Sequence, residues 1–152
     1  MARFIYRMQN ILDIKYKLEE QAKQNYMEVR ARLNAAEEEL RHLEERRWQY
    51  MAAYKVLVSD RLDVLEIEQC KNAIILMEEY ISNQQSVIQS IELELEEAVR
   101  RMNEAMKDRK IHEKLKENQF ELFKQELNKE EEKEIDQLVS YQYNNRNSGE
   151  EI

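Results

Sequence analysis

Between positions 67 and 105, apolar side chains recur at alternating steps of three and four residues. The residues between them are mostly charged or amide-bearing, and a single position of the series, Gln84, is polar. The series consists of Ile67, Cys70, Ile74, Met77, Ile81, Gln84, Ile88, Ile91, Leu95, Ala98, Met102 and Ala105. This spacing aligns the side chains along one narrow face of an α-helix, so it predicts a helix that pairs with one partner helix.

A second series of the same kind predicts another long helix over residues 2 to 58. It consists of Phe4, Met8, Ile11, Lys15, Leu18, Ala22, Tyr26, Val29, Leu33, Ala36, Leu40, Leu43, Arg47, Tyr50, Tyr54 and Leu57. An extra step of four between Ala22 and Tyr26 predicts a stutter, which locally relaxes a left-handed supercoil. Lys15 and Arg47 are polar positions in the series, and we expect them to set the register of the two helices.

The break between the two helices is expected at Ser59 and Asp60. Both are favourable N-cap residues, and Asp63 would then lie in the first turn of the second helix, where acidic groups are stabilising. No glycine supports a C-cap at this point. The alternative is a single helix of more than about 130 residues that forms a parallel dimer.

Charge distribution favours the folded-back arrangement. Residues 1–33 carry seven basic and four acidic side chains, whereas residues 113–136 carry five basic and nine acidic side chains. A hairpin brings these oppositely charged segments together, with Phe4 near Leu115 and Leu33 near Ile88. A parallel dimer would instead place like charges side by side. The sequence therefore predicts an all-α fold, with two long helices in an antiparallel coiled-coil hairpin.

The two predicted helices are unequal in length. The hairpin spans residues 1–141, with helix 1 over about 2–58 and helix 2 over about 60–141, so helix 2 extends past its partner. This overhang, roughly residues 119–141, retains apolar side chains and is expected to bind another protein. The polar residues 142–152 are expected to be disordered. The chain lacks proline and has one glycine, Gly149, which is typical of long helices with few connections.

Composition excludes several classes of function. The net charge of −8 disfavours a nucleic-acid partner, because the phosphate backbone is also negative. The single cysteine, Cys70, excludes an intramolecular disulfide, and no apolar run is long enough for a spanning helix or a secretory signal. Glycine-rich phosphate loops are absent, and His42 and His112 have too few candidate ligands near them in the sequence for zinc. We therefore expect no enzyme activity, no cofactor and no metal.

Two segments are candidates for binding. The basic, amphipathic residues 3–17 could lie on a membrane surface, form the first turns of the coiled coil, or dock a protein partner. Near the predicted turn, Trp48 and Met51 fall off the apolar series and are expected to be partly exposed. Large exposed apolar groups are typical of a binding surface, although packing around a widened hairpin tip is an equal alternative.

Several segments, in this order and spacing, resemble the flagellar export protein FliJ family over about residues 2–140. The quoted segments are residues 4–15 (FIYRMQNILDIK), 19–23 (EEQAK), 36–40 (AEEEL), Ile81 with Gln84 and Gln85, 113–116 (EKLK), and 130–138 (EEEKEIDQL). Many members of the family have Glu where this chain has Gln137.

The resemblance implies a cytoplasmic component of bacterial flagellar type III export, peripheral at the inner face of the cell membrane. Members of the family are antiparallel coiled coils similar to the γ stalk of rotary ATP synthases. They dock into the ring of the export ATPase FliI, promote its assembly and activity, and link it to the export gate FlhA, to FliH and to export chaperones. Matching residues for the ring contact are Phe4, Arg7, Met8, Ile11, Leu12, Lys15, Glu134, Ile135, Asp136 and Leu138. For the gate contact they are Leu43, Tyr50, Ile74 and Met77.

Other readings of the sequence make different predictions. A structural coiled-coil scaffold without an ATPase partner would form a parallel dimer that depends on concentration, whereas the export component is expected to be monomeric. An amphipathic membrane-associating protein would sediment with liposomes.

Overall fold

The computed structural model describes residues 2–60 and 63–150. Within these residues the protein is all-α, with no strand, and its two long helices pack against each other, which confirms the predicted fold class. Helix α1 spans Gln9–Asp60 and helix α2 spans Val64–Glu150. The chain divides into two compact units, residues 19–105 and residues 1–18 with 106–152.

Helix α1 starts later than the apolar pattern predicts. Residues 2–6 have no regular structure, residues 7–8 form a turn, and the helix begins at Gln9 rather than near position 2. The Gln9 amide donates to the Tyr6 carbonyl at 3.2 Å, and the Leu12 amide donates to the Met8 carbonyl at 3.1 Å. Amide groups of the first turn, which lack partners within a helix, are satisfied in this way by the preceding segment.

The connection between the helices lies slightly beyond its predicted position. Ser59 and Asp60 end α1 instead of capping α2, and the Ser59 hydroxyl donates to the Lys55 carbonyl at 2.9 Å. Residue Asp63 is the N-cap of α2, because its Oδ1 accepts from the Leu65 amide at 3.1 Å. The remaining connecting residues, 61–62, lie outside the described part of the chain.

Helix α2 also continues past its predicted end at Tyr141. The helix reaches Glu150, whereas the polar composition predicts a disordered tail over 142–152, of which residues 151–152 lie outside the described part. No proline interrupts this stretch, and its hydrogen bonds are local, so the helix needs no tertiary partner to continue. The Ser148 hydroxyl donates to the Asn144 carbonyl at 2.6 Å.

The predicted apolar face of α2 is the face that packs. All twelve positions of the series from Ile67 to Ala105 are buried or half-buried. In the unit of residues 19–105, the core brings together side chains of both helices: Val29, Leu33, Ala36, Ile88, Ile91 and Ala98, with Tyr26, Leu40 and Leu95 packed against them. The expected proximity of Leu33 and Ile88 is confirmed.

Polar contacts across this unit show that the helices run antiparallel. Arg32 pairs with Glu94 at 2.6 Å, and Arg47 pairs with Glu78 at 3.2 Å, so residue numbers rise on α1 as they fall on α2. Between these two pairs, the Gln84 side-chain amide donates to the Ala36 carbonyl at 2.9 Å. This bond satisfies the one polar position of the α2 series, and sliding the helices past each other would break it.

The predicted packed positions at the start of α1 are wrong by one residue. Ile11 and Leu18 are exposed, whereas Leu12 and Glu19 are buried, with exposed fractions of 2% and 5%. The series of packed positions is thus Leu12, Lys15, Glu19, Ala22, Tyr26, with unbroken steps of three and four, and the predicted stutter disappears. Carboxylates are rarely buried without a partner. Here Glu19 pairs with Lys23 at 3.2 Å.

Charged side chains on α2 beside its packed face form a network of ion pairs. The pKa of Glu97 is lowered from its ordinary 4.5 to about 2, chiefly because Arg100 donates hydrogen bonds to its carboxylate, with a further bond from Arg101. Glu97 in turn raises the pKa of Arg100, which also pairs with Glu104 at 2.6 Å. These contacts span three or four residues and support the helix locally.

Replacing Ile88 with Asp is expected to destabilise the protein by more than about 3 kcal/mol, because it buries an unpaired charge in the core. Thermal and urea unfolding followed by circular dichroism measures the loss. The matched control is Val87→Asp, one residue away at a half-exposed position, where a change within about 0.5 kcal/mol is expected. Equal unfolding curves for the two variants would contradict the placement of Ile88.

Replacing Glu97 with Gln is expected to lower the melting temperature by about 1–2 °C at neutral pH. A carboxylate whose pKa is lower in the folded protein stabilises it above pH 4.5, and this stabilisation is lost as the pH falls towards 2. The difference between wild type and Glu97→Gln should therefore vanish near pH 2. The control is Glu96→Gln, on a neighbouring exposed side chain. A difference that persists unchanged at pH 2 would argue against the ionic origin.

Candidate docking surfaces

The unit formed by residues 1–18 and 106–152 holds every residue predicted to contact the ATPase ring. Its two segments pack antiparallel, since Lys15 pairs with Asp108 at 2.7 Å and Lys116 donates to the Gln9 side chain at 2.7 Å. Phe4 packs on α2, with its ring centroid 5.2 Å from that of Phe120. Phe4 and Leu115 line one cavity, as expected from the hairpin.

Electrostatic contacts add to the apolar packing of this unit. The Lys15 ammonium lowers the pKa of Asp108 by donating to its carboxylate, and His112 adds a smaller effect in the same direction. The Tyr16 hydroxyl donates to Glu113, which also pairs with Arg109 at 3.0 Å. Lys15, predicted to set register, therefore forms an ion pair across the two segments.

Of the N-terminal residues predicted for ring docking, Phe4 packs on α2, and the other five fall into two groups. Arg7, Met8 and Ile11 are exposed and accessible to a partner. Leu12 is buried and Lys15 is half-buried in its ion pair, so these two side chains support the unit from inside. The distinction follows from the one-residue shift of the packed face, which turns Ile11 outward.

The C-terminal residues predicted for ring docking lie on an unpaired part of α2. Glu134, Ile135, Asp136 and Leu138 are all exposed, as is every side chain of residues 128–149. Ile135 lies twelve residues beyond Phe123, the Phe4 contact, and so about 18 Å farther along the helix. The structure therefore does not bring the N-terminal and C-terminal docking residues into one cluster.

Sequence reasoning missed part of this exposed surface. Val139, Tyr141 and Tyr143 are each more than half exposed, and Ile135, Leu138, Val139 and Tyr143 fall within about 140° of the helix circumference. The signal was present as apolar residues at steps of three and four from Ile135. It was overlooked past Tyr141 because the helix was expected to end there.

The residues predicted for the gate contact occupy the helix–helix interface of residues 19–105. Leu43 and Met77 are buried, and Tyr50 and Ile74 are half-buried. Their exposed neighbours are better placed for a partner. Trp48 is 70% exposed, which agrees with its expected position off the apolar series.

A groove with a volume of about 430 Å³ is lined by residues of both helices in this unit. Its lining combines apolar and charged side chains of both helices: Met51, Tyr54, Lys55, Lys71, Ile74, Ile75 and Glu78. Of the four residues predicted for the gate contact, Ile74 alone lines it. Met51 is half-buried there, so it is partly exposed as predicted.

The described residues do not group into a metal site. Residues 2–60 and 63–150 contain no group of three or more His, Cys, Asp or Glu side chains suited to hold a metal ion. The His112 Nδ1 bonds the Asp108 carbonyl at 2.8 Å, and the Cys70 thiol donates to the Tyr50 carbonyl at 3.3 Å. Over the same residues, neither helix contains an apolar stretch of the length needed to span a membrane.

Comparison with known proteins identifies the family. The family model described as Flagellar FliJ protein matches residues 4–148. No curated protein and no solved structure matches the chain. Because the family match extends over nearly all of the sequence, the chain belongs to the flagellar FliJ family, whose members are components of flagellar protein export.

Proposed function

We propose that this protein is a non-enzymatic factor of flagellar type III export that docks into the ring of the export ATPase FliI. The observation that carries the proposal is the exposed part of α2 over residues 128–149. Its apolar side chains have no partner among the described residues, although apolar groups at helical spacing are typical of a helix that binds a groove in another protein.

The chemistry of this segment suits a basic groove. Five acidic and three basic residues accompany the exposed apolar face of Ile135, Leu138, Val139 and Tyr143. Complementary charge would guide the approach, and the apolar face would supply most of the affinity. On the N-terminal segment, Arg7, Met8 and Ile11 are exposed and can add to the same contact.

Such a protein can promote ATPase assembly without an active site of its own. If it binds one conformation or assembly state of the ring more tightly than the others, binding shifts the population towards that state. The docking segment continues α2, so the packed part of α2 in the same unit fixes the direction of the segment. The ATPase would supply all of the catalytic groups.

The proposal includes further partners. The groove lined by Met51, Tyr54, Ile74 and Ile75 is proposed as the contact with the gate FlhA, because Leu43 and Met77 are already buried in the core. The proposal also includes links to FliH and export chaperones, a monomeric state, and a cytoplasmic position at the inner membrane face. The family match supports the role in flagellar export, and these finer points are part of the proposal.

Replacing both Ile135 and Leu138 with Asp is expected to reduce stimulation of the purified export ATPase at least tenfold. The two side chains are 59% and 61% exposed, so the double variant should keep its helical content and melting temperature. ATP hydrolysis at increasing concentrations of each variant measures the effect.

The matched control is Leu93→Asp, which introduces the same group at a 68% exposed position of α2 outside the docking segment. It should stimulate hydrolysis as well as wild type. Equal stimulation by the double variant and wild type would contradict docking through α2. A wild-type protein that forms a concentration-dependent parallel dimer and leaves hydrolysis unchanged would favour a structural scaffold.

A further inference from the structure

Residues 2–6 form a strap that lies against α2 instead of extending α1. We use the name N-terminal strap for these five residues. The strap is anchored by Phe4, whose ring packs edge-on against Phe120 at 5.2 Å and at a tilt against Phe123 at 5.5 Å. The Lys124 ammonium lies 4.6 Å from the Phe120 ring centroid, so the aromatic site has a cationic border.

The backbone of the strap is weakly held. Outside the helices, the described backbone hydrogen bonds involve the strap through the Tyr6 carbonyl alone, which accepts from Gln9. The Tyr6 hydroxyl contacts the Met8 sulfur at 3.9 Å, again within the N-terminal segment. The attachment of the strap to α2 thus depends mainly on one side chain, that of Phe4.

Two open grooves border the strap. A cavity of about 500 Å³ lies between Phe4–Met8 and the α2 residues Leu115 and Gln119, and another of about 330 Å³ is lined by strap residues and Lys116. Ile5 is 78% exposed, so a large aliphatic side chain next to the anchor contributes little burial. Few backbone bonds and exposed side chains are characteristic of segments that open at low free-energy cost.

We propose that the N-terminal strap is an autoinhibitory cover. In the closed state Phe4 occupies the aromatic site of Phe120 and Phe123, which adjoins the exposed docking segment of α2. In the open state this site is free for an apolar side chain of the ATPase ring, so ring binding competes with Phe4. This inference rests on the proposed function for its partner, whereas opening of the strap is independent of it.

The position of the Phe4 contact along α2 sets the length of helix that a competing partner must cover. Phe120 and Phe123 continue the apolar face of α2 towards Leu127, and beyond Leu127 the described side chains of α2 are all exposed. The polar residues 128–134 separate this covered part from the exposed apolar face that begins at Ile135. A partner helix that lies along the exposed apolar face must continue past these polar residues, about 12 Å of helix, to reach the Phe4 contact.

Opening can be measured by limited trypsin digestion of the full chain. Cleavage after Arg7 requires the residues on both sides to become extended, so its rate follows the open population. Phe4→Ala is expected to raise this rate about fivefold or more, because it removes both ring contacts. Phe120→Ala should raise the cleavage rate as well, because it removes the other ring of the Phe4–Phe120 contact.

The matched control is Ile5→Ala, a change in the same strap at a side chain that is mostly exposed. It should leave the rate unchanged, and circular dichroism should show equal helicity for all variants. Mass spectrometry of the fragment that begins at Met8 identifies the cut. Cleavage of Phe4→Ala and Phe120→Ala at the wild-type rate would overturn the strap as an opening element.

Hydrolysis by the export ATPase tests the inhibitory role separately. Phe4→Ala should reach half-maximal stimulation at about a fivefold lower protein concentration than wild type, whereas Ile5→Ala should match wild type. Faster cleavage combined with weaker stimulation would overturn autoinhibition and make Phe4 a direct ring contact. If wild type itself fails to stimulate hydrolysis, the proposed function fails, while the digestion result still decides whether the strap opens.

Discussion

The structure depends on the pairing of two apolar helix faces, each only one or two side chains wide. Neither helix can bury this face alone, and most of the stability of such helices comes from packing and not from intrinsic propensity. In residues 19–105 the pairing places Leu33, Ala36, Ile88 and Ile91 in one core. The constraint explains why polar groups on the face, such as Gln84, need a defined partner on the other helix.

The same constraint separates supporting residues from accessible ones. A side chain on the packed face, such as Leu12 or Met77, is already occupied and contributes to partner binding only by holding its neighbours. A side chain one position away, such as Ile11 or Leu76, points outward at little cost to the fold. In a two-helix protein, surfaces for partners are therefore found next to the core positions in sequence, and substitutions there can change binding without unfolding the chain.

Helix α2 illustrates how an interaction segment can be stable without a tertiary partner. Past Leu127 its described side chains are exposed, yet its backbone hydrogen bonds remain local. The N-terminal strap shows the opposite situation, since residues 2–6 have few backbone bonds and are held by Phe4. The unit of residues 1–18 and 106–152 thus combines a regular exposed helix with an irregular segment that covers an apolar site on the same helix.

The sequence by itself determined the class of the fold, the packed face of α2 and most of that of α1, because spacing of three and four residues has one structural meaning in a chain without proline. It also carried the family resemblance. Only the tertiary structure decided that Glu19 and not Leu18 is buried, because the face of α1 that becomes covered depends on how the two helices pack. It likewise decided that Phe4 leaves the helix to contact Phe120 and Phe123, because contacts between residues more than a hundred positions apart leave no periodic signal in the sequence.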